Sequence, residues 1–187
     1  MLRMLPVEAL MQEHRVIERM VALFKLESVR IEQAKKVNMK FVQAAVDFIR
    51  MYADLTHLGK EEGILFRALS LKPLVEEDVG MMRVLIAEHV RSRKLTSSLE
   101  QAVTSFMNGN GESGRDISRI LNELAEFYTM HTAKEDNSFF YPVSRYFSAE
   151  EHKAMLGDFW EFDRKLIHEK YERVVGEMEK MVETAEG

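Results

Sequence analysis

Histidine and glutamate recur along this sequence at spacings that suit a metal ion. His57-Leu58-Gly59-Lys60-Glu61-Glu62 returns 74 residues later as His131-Thr132-Ala133-Lys134-Glu135-Asp136, an H-x-x-K-E-[ED] repeat. Phe66 and Phe140 each follow nine residues after their histidine. A second pair, Glu13-His14, returns 75 residues later as Glu88-His89. Residues four apart share one face of an α-helix, so His57 and Glu61 point the same way, as do His131 and Glu135. The stripe around the first pair is otherwise apolar: Val42, Val46, Ile49, Ala53, Ile64 and Ala68. Burying an imidazole and a carboxylate there is costly without partners. One buried histidine is most simply a hydrogen-bonded structural residue. Six such residues, duplicated in register and all on apolar stripes, ask for a shared explanation.

The elements that must position them are helices. Hydrophobic residues make up 46% and charged residues 30% of 187 residues, with three prolines, and β-branched alternation is nearly absent. The first helix is expected over 6–33, opening at Pro6 and carrying His14 in its stripe. Asn38 should cap the second, which ends near Ser70 ahead of Pro73. A third begins near Val75, with Glu76, Glu77 and Asp78 in its first turn, and buries Met82, Leu85, Ile86, His89, Thr96, Leu99, Val103 and Phe106. The loop 108–114 separates it from a fourth helix carrying Ile117, Leu121, Leu124, Phe127, His131, Glu135 and Phe139, ending near Pro142. Ser148 and Glu151 have capping-box spacing and open a fifth, amphipathic helix with Phe159, Trp160, Ile167, Tyr171 and Met178 on it.

In an up-down-up-down bundle, at ~1.5 Å per residue, the four histidines fall ~12–21 Å from one end. Within the error of boundaries read from sequence they share one layer. His14, His57, Glu61, His89, His131 and Glu135 then form a dinuclear metal site. With both glutamates bridging, each metal receives two histidines and two carboxylate oxygens. An octahedral ion keeps positions for a bridging oxo, hydroxo or water and for an exogenous ligand. Imidazole with carboxylate suits iron, manganese or zinc. Open positions on redox-active iron make O2, NO or peroxide natural targets.

Other residues are expected to be peripheral. Glu18 reads as a boundary carboxylate, and Glu62 and Asp136 point ~100° away from the ligand face, toward a supporting or surface role. Tyr128 either lines the pocket or packs in the core. Arg93 either approaches the site or is solvated. His152 reads as surface and His168 as structural. There is no cysteine, hence no disulfide and no thiolate metal site. A net charge of −5 and a pI near 5.8 give no reason to expect nucleic acid or an anionic membrane as partner. Residues 1–6 lack an apolar signal core and no run is long enough to span a bilayer, so a cytoplasmic location is the default expectation.

The combination Gln12-Glu13-His14, His57-x-x-x-Glu61, Glu88-His89 and His131-x-x-x-Glu135 resembles the hemerythrin-like, or HHE cation-binding, domain over about residues 5–145. The resemblance implies a hemerythrin-like four-helix bundle with a non-haem di-iron site. The expected organisation is that bundle over 1–147, with 148–187 packed on it as part of the same domain. In the oxygen-carrying hemerythrins a second histidine follows four residues after the first on the third helix, and here that position is Arg93. The four-histidine, two-glutamate set is instead similar to proteins implicated in repair of damaged iron–sulfur centres, which often carry an additional cysteine-containing domain. The leading expectation is a di-iron protein that binds or senses a small oxidant. A di-iron oxidoreductase reducing O2, peroxide or NO, which would need an electron donor, is the second. A metal-stabilised interaction module, using the fifth helix to cap the bundle or form a homodimer, is the third.

Overall fold

The computed structural model describes residues 4–163 and 167–184. Residues 1–3, 164–166 and 185–187 lie outside the described residues. So do the side chains of Ile167, Glu169 and Val182. The described chain is all-helical. Helix α1 (Pro6–Ala34) starts as its proline dictates, with Glu8 accepting from the Leu5 N–H at 2.6 Å. It stops at Lys35, whose left-handed φ of 54° lets its N–H return to Ile31. Asn38 caps the next helix by accepting from the Phe41 N–H at 3.1 Å.

That helix, α2 (39–69), opens as regular α-helix at Met39–Phe48. It widens to π-helical turns at Ile49–Leu58 and Glu61–Phe66, and closes at Arg67–Leu69. Helix α3 is Glu76–Met107. Helix α4 (113–144) runs as Ser113–Lys134, a π-helical Glu135–Phe139, and a last turn, Phe140–Ser144, that contains Pro142. The expected fifth helix is described over two stretches, α5 (Ala149–Asp163) and α6 (Ile167–Glu183), and residues 164–166 between them lie outside the described residues. Ser148 and Glu151 make the reciprocal bonds of a capping box at its start.

The bundle follows from how two apolar clusters bracket the polar residues. One cluster holds Val7 and Leu10 of α1, Leu65 and Leu69 of α2, Leu85 of α3, and Phe139 and Val143 of α4. The other holds Ile17–Ile31, Phe41–Ala53, Leu99–Val103 and Ile117–Tyr128 from the same helices. Each polar pair lies between them, and the order of the clusters reverses from one helix to the next. The helices are therefore antiparallel neighbours, up-down-up-down. Helix α5 adds Met155 and Phe159 to the first cluster, and α6 adds Tyr171, Val175 and Met178 to the second. The two follow one another along the groove between α1 and α2.

Two expected core positions are overturned. Ile86 is 40% exposed, because in its middle α3 buries a narrow seam of Leu85, His89, Ser92, Thr96 and Leu99, and Ile86 sits ~100° off it. Trp160 is 74% exposed for the same reason: Met155 and Phe159 alone make the buried stripe of α5.

Candidate metal centre

Helices α1 to α4 bring all six expected residues into one layer. His14, His57, Glu61 and Glu135 form one group and Glu61, His89, His131 and Glu135 a second, with candidate ligand atoms within 4.8 Å of one another in each. The two glutamates belong to both groups. All six side chains are at most 2% exposed. Glu61 lies 3.2 Å from His57 Nε2 through Oε1 and 3.3 Å from His89 Nε2 through Oε2. Glu135 Oε2 lies 3.2 Å from His14 Nε2 and 3.4 Å from His131 Nε2. These contacts are close enough for ion pairs. Even so, both oxygens of both glutamates and the Nε2 atoms of His89 and His131 are buried without a hydrogen-bond partner. The π-helical turns coincide with His57, Glu61 and Glu135, and such widened turns are frequent at functional sites.

The outward nitrogen of every histidine is engaged by a carboxylate. His14 Nδ1 donates to Asp136 at 2.7 Å, His57 Nδ1 to Glu13 at 2.8 Å, His89 Nδ1 to Glu62 at 2.7 Å and His131 Nδ1 to Glu88 at 2.9 Å. A carboxylate only accepts, so Nδ1 carries the proton and, in neutral imidazole, Nε2 turns a bare lone pair inward. His14 and His57 point these atoms at each other 3.0 Å apart, an arrangement a cation between them would relieve. Each carboxylate meets a cation in turn: Asp136 Arg15, Glu13 Lys60, Glu62 Arg93 and Glu88 Lys134.

A family model described as the hemerythrin HHE cation-binding domain matches residues 5–143. The chain belongs to that family. Comparisons with curated proteins and with solved structures found no significant match. The donor set fits the cation the family implies: imidazole nitrogens and two carboxylates converge in a buried layer with their inward atoms unpartnered.

Without an ion, protons compensate those carboxylates in this hemerythrin-family site. Burial works against charge on His57, but Glu61 and Glu13 outweigh it and push its pKa up to about 10. Burial likewise opposes charge on His89, yet Glu135, Glu61 and Glu62 raise it to about 11. His14 moves up too, against burial, through Asp136 and Glu135. Burial pushes Glu61 and Glu135 up, and in Glu135 the Glu61 charge adds to that push, but the surrounding histidines hold both below the ordinary value. His131 at its Nδ1, then Lys134, draws Glu88 down to about 2, burial opposing.

Of the peripheral residues, Glu62 and Asp136 prove to be the carboxylates behind His89 and His14. Arg93 reaches Glu62 and Asp54 rather than the central layer. Glu18 pairs with Arg15 at the surface. Tyr128 is core, its hydroxyl 2.8 Å from Ser92. His152, expected at the surface, is half-buried against Phe147. Glu13, Glu88, Lys60 and Lys134 were given no role by sequence reasoning. Their signal was present, since the repeat duplicates both glutamates before the lone histidines and both lysines inside H-x-x-K-E. A third group, Glu13, Asp163 and His168, gathers at α5 and α6, with the Lys60 ammonium already bonded to both acids.

Proposed function

We propose that the protein binds two metal ions, iron by the family's habit with manganese or zinc as substitutes. His14 and His57 hold one, His89 and His131 the other, and Glu61 and Glu135 are shared. This is the four-histidine, two-glutamate arrangement. The observation that carries it is the set of buried, unpartnered carboxylate oxygens and imidazole nitrogens in the shared layer. Left so, each is a desolvated polar atom without a hydrogen-bond partner.

A redox-active pair with an open position supplies one-electron changes and a binding site for a small oxidant such as O2, NO or peroxide. The chain's own residues set the conditions. Asp136, Glu13, Glu62 and Glu88 fix each ring's tautomer and orientation and make Nε2 more basic. The aromatic rings of Phe140, Phe66 and Phe127 stack on His14, His89 and His131 and keep the layer dry. Among the described residues no helix is long and apolar enough to cross a membrane. Binding or sensing of the oxidant remains the leading reading, with turnover as an oxidoreductase the second.

Anaerobic Fe(II) loading with metal analysis tests the site, and subsequent addition of O2, NO or peroxide with optical spectroscopy tests its use. One ion per group, lost in His57→Ala and Glu135→Ala, is expected. Unchanged uptake in both variants refutes the assignment. A reversible band favours binding, and repeated turnover with a reductant favours the enzyme.

A further inference from the structure

Two tyrosines on the α6 side of the bundle meet acceptors that can take a proton, and a third does not. Tyr52, on α2 one π-turn before His57, is 1% exposed and gives its hydroxyl to His168 Nδ1 at 3.0 Å. His168 Nε2 is bonded in turn to Asp163 Oδ2 at 2.9 Å. Burial pushes the Asp163 carboxyl up, but His168 and Lys60 outweigh it and keep it ionised, so it can only accept. In its neutral form the imidazole then carries its proton on Nε2 and leaves Nδ1 bare. To that form the Tyr52 hydroxyl is the donor. Tyr171 packs 5.6 Å from Tyr52, ring to ring, and donates to the Asp47 carboxylate at 2.8 Å. Tyr128, equally buried, faces only the hydroxyl of Ser92, which is no base.

A phenol that loses one electron becomes so strong an acid that it must lose its proton in the same event. A buried phenol can do this only where a base is already hydrogen-bonded to it. Tyr52 is too buried to act on a substrate directly, so a polarised phenol here serves electron transfer rather than acid–base chemistry. The network also reaches the centre. Asp163 accepts from Lys60 at 2.6 and 2.8 Å, Lys60 meets Glu13, and Glu13 holds His57.

Resting on the metal reading above, we propose that Tyr52 is a redox-active residue that gives one electron to the oxidised centre while its proton passes to His168. Reducing one peroxide to two waters takes up two electrons and two protons. One electron would come from a metal pair held by the six residues in its ferrous–ferric state, which would end diferric. Tyr52 gives the other: its O–H bond breaks, the electron leaves toward the centre and the proton goes to His168 Nδ1. Solvent supplies the two protons for the waters. The products are a neutral phenoxyl radical, an imidazolium beside Asp163, and two waters. Tyr171, fully buried against Tyr52 with Asp47 as its base, is placed to pass an electron on to that radical.

The test is freeze-quench electron paramagnetic resonance on the full-length protein, loaded with iron, poised in the ferrous–ferric state and mixed with peroxide. A free-radical signal is expected that narrows when the tyrosines carry ring deuterium. It should be lost in Tyr52→Phe, greatly reduced in His168→Gln, and retained in Tyr128→Phe. Iron content and ferric absorption in Tyr52→Phe should match the parent, which separates the relay from the site. Protein that holds two irons and consumes peroxide but gives no tyrosine radical overturns the relay while leaving the site intact. So does a radical that survives in Tyr52→Phe. Protein that takes up no iron overturns the metal reading and the relay with it.

Discussion

Metal binding should release protons at a pH where ordinary histidines have none to give. His57 and His89 are held protonated up to about pH 10 and 11 by the carboxylates around them. An unperturbed imidazole, with a pKa of ~6.5, is only about 3% protonated at pH 8. A metal ion on Nε2 must displace each of these protons. Loading the metal-free protein at pH 8 should therefore release about two protons per chain from these residues, against almost none for ordinary histidines. Linkage then requires the apparent affinity to rise about 100-fold per pH unit between roughly pH 7 and 9, tenfold for each proton. Isothermal titration with Zn(II), or with Fe(II) under anaerobic conditions, measures the release directly in two buffers of different ionisation enthalpy. Release below about half a proton, or an affinity flat in pH, refutes the electrostatic account of the layer. The same raised values act on folding. In the metal-free protein the stability these two histidines contribute is complete below ~pH 6.5 and disappears as pH climbs through about 10 and 11.

Replacing Glu13 by Gln keeps shape but removes the charge that orients His57, and should weaken metal binding by roughly 10–100-fold, read in a competition titration against a chelator. Lys60→Ala strands Glu13 and Asp163 and should cost about 3–5 kcal/mol in urea unfolding, because Lys60 is 0% exposed. Its repeat counterpart Lys134 is 28% exposed, and Lys134→Ala should cost about 0–1 kcal/mol; equal losses would show that α5 and α6 do not seal the Lys60 side. Leu85→Ala should lose about 2–5 kcal/mol in chemical denaturation, whereas Ile86→Lys should stay within about 0.5 kcal/mol, and the reverse order would contradict the seam of α3.

Much of the molecule is written locally. Pro6, Asn38 and the Ser148–Glu151 pair mark helix starts because capping depends on residues a few positions apart, and each is used as expected. The six-residue layer was legible because a repeat places histidine and glutamate at the same depth on antiparallel helices, whatever the side-chain details. Ile86 and Trp160 misled because hydrophobicity alone does not say how wide a helix's buried stripe is. That width depends on how many neighbours flank it, and α3 and α5 each face only a narrow groove.

What the sequence by itself determined is the inward face: which side chains converge, and that they lack partners without a cation. The outer layer was decided by tertiary structure. Glu13 serves His57 on α2 rather than its neighbour His14, and Glu88 serves His131 rather than His89, because a residue adjacent on a helix points ~100° away and meets the next helix instead. Tertiary structure also broke the symmetry of the repeat. Lys60 and Lys134 hold the same place in H-x-x-K-E, yet only Lys60 is closed over by α5 and α6, which add Asp163, His168 and the link to Tyr52. No local pattern encodes that difference, since it arises from a segment about 100 residues away folding onto one half of the bundle.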